Sequence, residues 1–164
     1  MLDLIIRNAN LPDGRTGMNI AIDNGLISDI APNIDARARK EIDATGRLAS
    51  PPFVDSHFHL DSTLSYGQPR VNASGTLLEG IELWGELKAE LTVENIKARA
   101  IKLCHWAIAR GTLAIRSHVD VSDDRLLAVK ALLAVREEIK PYIDLQLVAF
   151  PQDGYLRYPG SVDN

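Results

Sequence analysis

The stretch Pro51-Pro52-Phe53-Val54-Asp55-Ser56-His57-Phe58-His59-Leu60-Asp61 decides how the rest of the chain is read. An extended segment sends alternate side chains to opposite faces, so His57 and His59 leave the backbone on the same side, about 6.6 Å apart along the strand. Two imidazoles at that separation can converge on one metal ion at about 2.0–2.1 Å each. The same parity places Asp55 and Asp61 on the histidine face and Val54, Phe58 and Leu60 on the other, with Phe53 and Ser56 as exceptions. An apolar outer face and a polar inner one suit a parallel barrel strand whose far end opens into an active site. On spacing alone, polar filling of a barrel interior remains open beside metal binding.

Downstream, Ser62 to Ser74 is rich in Ser, Gly, Pro and Asn without an apolar period, and reads as a loop at the mouth of the site. From Thr76 onward Leu77, Ile81, Trp84, Lys88 and Leu91 recur at helical spacing. Thr92 is placed to cap a second helix, with Glu94 at its positive end and Ile96, Ala100, Leu103, Cys104, Ala107 and Ile108 as its buried stripe. Gly111 ends it, and a strand from Thr112 to Val121 repeats the earlier polarity, with Arg116, His118 and Asp120 on one face. Ser122 or Asp123 is expected to cap a helix running to about Ile139, stopped by Pro141. A third strand, Ile143 to Phe150, ends in Pro151-Gln152, and the tail from Asp153 to Asn164 is loop-like. Strands alternating with helical patterns mean βα units and a parallel sheet.

Upstream, residues 1–50 read as a small all-β module. Leu4-Ile5-Ile6 is a strand and Asn10 to Gly14 a turn. Ile20 and Ile22 alternate with polar neighbours up to Asn24-Gly25, the strongest two-residue hairpin signal. Leu26-Ile27 then breaks alternation, so a bulge or longer loop is expected there. Glu41 to Asp43 is a further strand end.

Composition bounds the function. The 164 residues are 46% apolar and 24% charged, as in a soluble globular protein with a real core. A net charge of −4 with no basic run argues against nucleic acid as a partner. One cysteine, Cys104, cannot form an internal disulfide and fits a reducing compartment. Neither a signal peptide nor a membrane span of roughly 18 apolar residues is legible, so a cytoplasmic protein is expected. A single cysteine also excludes the zinc deaminases built on a His-x-Glu and Pro-Cys-x-x-Cys signature.

The Pro51–Asp61 stretch, Gly67-Gln68-Pro69, Ser74 to Ile81, Arg116 to Asp123 and Ile143 to Gln152 follow one another in the order of a known family. Together they resemble the N-terminal part of metal-dependent amidohydrolases, specifically the cytosine deaminase group; Leu4 to Ala9 also resembles that group's first β-segment. Ser56 stands where close relatives carry proline. The resemblance implies an α/β protein: the first βα units of a (β/α)8 barrel over residues 51–164, preceded by part of an N-terminal β-sandwich over 1–50. It implies that His57 and His59 ligate one divalent metal ion, iron or zinc. Gln152 would hold the carbonyl and ring-nitrogen edge of a nucleobase, and Leu77 would offer backbone contacts from a closing loop. The implied reaction is deamination of cytosine, or a related aminopyrimidine, to uracil and ammonia by a metal-activated water; substituted triazines or other cyclic amidines are the alternative substrates.

The remaining ligands, the proton shuttle and the other catalytic residues would lie on later strands. A full barrel takes about 250 residues, so this chain is expected to be incomplete and inactive alone, and a homo-oligomer at full length. A partial barrel that associates with other chains, its histidines vestigial, is the non-enzymatic reading. Among the other singled-out residues, His118 and Asp120 are either a hydrogen-bonded interior pair or a support for the metal ligands. Cys104 and Trp84 read as core, His105 as surface or packing, Asp123-Asp124 as helix-start charge, and Glu137-Glu138 as a solvated face.

Overall fold

The computed structural model describes residues 1–156, 160 and 163, so the loop-like tail expected from Asp153 to Asn164 lies partly outside the described residues. The chain divides into two compact units, Met1–Pro51 and Pro52–Asn164.

The first unit is one four-stranded sheet in the order β3-β2-β1-β4, from β1 (Leu2–Ala9), β2 (Met18–Asp23), β3 (Leu26–Ala31) and β4 (Ala38–Asp43). Asn24 and Gly25 turn the β2–β3 hairpin with φ of 51° and 75°, the doubly left-handed geometry that Asn-Gly favours. The bulge expected beyond it is present. Ala21 pairs Asp29 but Ile22 pairs Ile27, which leaves Ser28 extra on β3. Ala9, Leu11, Met18, Ile20 and Ala44 form the unit's small core.

The second unit carries β5 (Phe53–Phe58), α1 (Leu77–Lys88), α2 (Val93–Ala109), β6 (Thr112–Asp120), α3 (Leu127–Ile139) and β7 (Asp144–Phe150). Its strands form a parallel sheet in the order β5-β6-β7. Buried Ile115, Val119 and Leu145 of the sheet meet Ile96, Ala100 and Cys104 of α2 and Ala131, Leu132 and Val135 of α3. Cys104 belongs to this core, and burial raises its thiol pKa to about 11, which makes it an inert packing residue. The opposite face of the sheet is polar and open, with Val54, Ser56, Ala114, Arg116 and Gln146 around a shallow hollow. Thr92 caps α2 with its side chain on the Asn95 amide, and Asn95 returns the bond to the Thr92 amide, closing a capping box.

Two local expectations are corrected. α3 begins at Leu127, not at Ser122 or Asp123, and its cap Leu126 sits at φ 50° with no side-chain cap bond. Both expected caps are engaged elsewhere: the Ser122 hydroxyl accepts the Asp153 amide, and the Asp123 carboxylate takes the Arg125 guanidinium at 2.8 Å. The second correction concerns β5, which stops at Phe58 and does not keep one parity along the quoted stretch. Asp55 pairs Ile115 but Phe58 pairs Ser117, so Ser56 and His57 together oppose Arg116 alone. That bulge swaps the faces. Upstream of it Val54 shares the open polar face with Arg116, and Asp55 lies on the Ile115 side; downstream of it His57 flanks Phe58 on the open side.

Candidate functional site

The bulge explains how the histidines reach the end of the sheet. Phe58 turns to the core side, where Leu60 is fully buried and its amide donates to the buried Ser117 hydroxyl at 3.0 Å. His57 and His59, on either side of Phe58, therefore project together. Their ring centroids are 5.4 Å apart with planes at 64°. Two imidazoles bound to one tetrahedral ion at about 2.0–2.1 Å would hold their centroids about 5 Å apart. The pair fits a shared ion.

His118 is the third imidazole, reaching in from β6. Its ring stacks on His57 at 4.0 Å and 22°, too close and too parallel for both rings to point at one tetrahedral ion. It faces the Phe58 main-chain carbonyl, while its Nδ1 is buried without a hydrogen-bond partner among the described residues. Burial first, then the neighbouring His57 and His59, hold His118 below the ordinary histidine range. The ring thus backs His57 from β6 and stands outside the His57–His59 pair. Phe150, from the end of β7, packs edge-on against His59 at 5.2 Å and His118 at 5.6 Å. Among the described residues no group of three or more His, Cys, Asp or Glu side chains is arranged as a complete metal site.

A cavity of about 530 Å³ opens in front of the histidines. His57, His59, Phe150 and Gln152 line one side, and Trp84, Leu87, Ile81 and Leu77 of α1 another. The loop Ser62 to Asn72 supplies further wall, including Tyr66 and Arg70. Leu77 and Gln152, singled out in the sequence, thus share one cavity with the histidine pair. The Leu77 side chain itself is 78% exposed. Arg70 fastens the loop to α1, with 2.7 Å to Glu79 and 2.9 Å to Glu86. Glu79 also accepts from the Ser74 hydroxyl and from the Ser74 and Ala73 amides, and these donors with Arg70 lower its pKa to about 2.

Behind the cavity lies a buried charge hub that the sequence does not reveal. Asp120 Oδ2 receives the Trp84 indole N–H at 2.8 Å and the Lys88 ammonium at 2.8 Å; its Oδ1 receives the Ser122 amide. Its own amide donates to Asp61 Oδ2 at 2.8 Å. Burial pushes the Asp120 carboxyl up, but Lys88, the Ser122 amide and Trp84 outweigh it and hold the group below its usual value. Asp61 is the opposite case: burial raises it, and the Asp120 and Ser62 amides offset that only in part. Arg99 of α2 grips the carbonyls of Asp61 and Thr63 at 3.0 and 2.9 Å, fixing the chain just past His59. Asp120 is therefore not the hydrogen-bonded partner of His118, and Trp84 does more than pack. His105 is exposed on α2.

Comparison with known proteins agrees with this layout. Residues 40–164 match the Amidohydrolase family. The chain is 36% identical over 162 residues to an N-isopropylammelide isopropyl amidohydrolase of Pseudomonas sp. strain ADP, covering 93% of this chain and 39% of that protein. Among solved structures, 5-methylcytosine deaminase from Klebsiella pneumoniae liganded with 5-fluorocytosine superposes with a TM-score of 0.90 at 43% identity, over 97% of this chain and 39% of that one. N-isopropylammelide isopropylaminohydrolase from Burkholderia multivorans gives 0.79 at 31% identity, over 98% and 40%. The chain thus spans about two fifths of the length of these relatives. With its matched residues running from the last strand of the first unit through all the βα elements of the second, the chain belongs to the amidohydrolase family, whose members are metal-dependent hydrolases of C–N bonds.

Proposed function

We propose that these residues form the first three strands of a (β/α)8 barrel that deaminates cytosine or a related aminopyrimidine. The single observation that carries the reading is the convergence of His57 and His59, 5.4 Å apart, on a cavity that Gln152 and Leu77 also line. The open polar face of the sheet supports the barrel. A parallel sheet is ordinarily covered on both faces, and a face bearing Ser56 and an Arg116–Gln146 hydrogen bond of 2.7 Å suits a closed interior better than a helix layer.

In this reading His57 and His59 hold one divalent ion, iron or zinc. Bound there, such an ion would bring the pKa of water toward about 7 and so supply a nucleophile at neutral pH. The chain's own residues do the rest of the local work. His118 and Phe150 fix the two imidazole planes. The Gln152 amide offers one donor and one acceptor, the pattern that the carbonyl and ring-nitrogen edge of a pyrimidine presents, and an analogue lacking either group is rejected. The start of α1 at Leu77 closes the cavity over the ring, and the Arg70 tie keeps the loop in place. Two imidazoles are one short of the three protein ligands usual for catalytic zinc, so the reading assigns the remaining ligands and the proton shuttle to later strands of the fold. A small nucleobase partner and self-association at full length belong to the same proposal.

The relatives that act on N-isopropylammelide favour a second substrate class, substituted triazines. The full-length protein should carry about one divalent ion per chain by mass spectrometry of metals, and His57→Ala or His59→Ala should remove it. Ammonia release from cytosine or 5-methylcytosine against amine release from N-isopropylammelide separates the two classes. Metal content unchanged in the double His57→Ala/His59→Ala variant, or no turnover of any of the three, rejects the reading.

A further inference from the structure

The α1 end, the β6 exit and the β7 exit are joined by one ammonium. Lys88 Nζ lies 2.8 Å from Asp120 Oδ2 and 2.7 Å from Asp153 Oδ2, and its side chain is only 14% exposed. The two carboxylates are held very differently. Asp120 is 4% exposed and already bonded by Trp84 and the Ser122 amide, and its amide is bonded to Asp61, so it is a fixed post. Asp153 is 34% exposed and sits in a short turn, closed by the Gly154 amide on the Pro151 carbonyl at 2.9 Å. The Asp153 amide also donates to the Ser122 hydroxyl, at a longer 3.2 Å. Gln152 precedes Asp153 directly and lines the cavity. A cation anchored on the post thus reaches across to the residue beside Gln152.

We propose that Lys88 is a positioning residue: through Asp153 it holds the Pro151–Gly154 turn so that Gln152 stays in the cavity wall. It acts without touching substrate. Lysine suits the task because one ammonium has three donors in tetrahedral array and can serve two carboxylates at once. Burial alone would lower the Lys88 pKa, and the two carboxylates reverse that, so the charge persists at neutral pH. The claim about the turn stands by itself; the claim about substrate affinity rests on the function proposed above.

The test uses Lys88→Met, Lys88→Arg and Asp153→Asn in the full-length protein. Hydrogen exchange of the Asp153 amide should quicken about tenfold in the Met and Asn variants, the loss expected for one charge-assisted bond. Amides of α2 should keep their protection, and Lys88→Arg should restore most of the turn's. The Michaelis constant for cytosine should rise about tenfold in the same two variants, with kcat within about twofold. Unchanged exchange at Asp153 in both variants overturns the proposal, as does loosening spread evenly through α1, β6 and α2, which would make Lys88 a general structural residue. A loosened turn with an unmoved Michaelis constant overturns the link to Gln152. If the wild-type protein turns over no base while the turn loosens as stated, the substrate reading fails and the clamp is supported.

Discussion

Replacing Trp84 by Phe probes the buried hub behind the site. Trp84 is 9% exposed and its indole N–H meets Asp120 Oδ2 at 2.8 Å, while Asp120 is 4% exposed. Phenyl fills most of the indole's space, and the lost apolar contact costs about 1 kcal/mol. The lost hydrogen bond to a carboxylate adds about 1.5–3 kcal/mol, because no water reaches a group this buried to replace the donor. Trp84→Phe should therefore destabilise the second unit by about 2.5–4 kcal/mol. With an m-value of about 1.5 kcal/mol/M, the urea midpoint moves down by about 2 M. Far-UV circular dichroism is the right probe, since the substitution removes one of the chain's two tryptophans. A double-mutant cycle with Asp120→Asn isolates the bond itself, with an expected coupling of about 1–2 kcal/mol. A Trp84→Phe cost under about 1 kcal/mol, or a coupling within about 0.3 kcal/mol of zero, would refute the reasoning that this indole is held for its N–H.

Three further outcomes are expected. Leu132→Ala empties a fully buried site between α3 and the sheet and should cost about 3–4 kcal/mol in the same urea assay. Gly111→Ala should cost about 1 kcal/mol from backbone strain: φ is +86°, whereas the added methyl would only touch the Phe53 ring at an ordinary 3.7 Å. Glu79 has its folded pKa lowered from 4.5 to about 2, so its tie to the loop is fully present above pH 4.5 and is lost as the pH falls through 2. Limited proteolysis of the Ser65–Asn72 loop should therefore stay slow down to about pH 3 in wild type, and Glu79→Gln should make it fast and flat across that range.

Much of this fold was legible because local rules governed it. Asn24-Gly25 specifies its hairpin by backbone sterics, and Thr92 caps α2 with a side chain three residues from its partner. The apolar stripe of α2 and the alternation of β6 report burial by their period alone. The failures all lie where a partner distant in sequence or a competing side chain took over. Ser122 and Asp123 look like caps until Asp153 and Arg125 claim them, so α3 starts four residues later than Asp123. Strict parity along β5 fails because β6 opposes two of its residues with one, and the parity exception at Ser56 is the one local trace of that bulge.

By itself the sequence determined the order of elements, the two histidines as a candidate pair, and Leu77 and Gln152 as companions worth watching. Each of those rests on residue identity and spacing, which a single chain carries with it. Only the tertiary structure decided that a bulge turns the His57–His59 pair to the open face, that His118 stacks behind it, and that Lys88, Trp84, Asp61 and Asp120 form one buried network. Those outcomes depend on register between strands and on contacts across 32 to 61 residues of chain, and the energy of a charge there is set by what surrounds it, not by what precedes it.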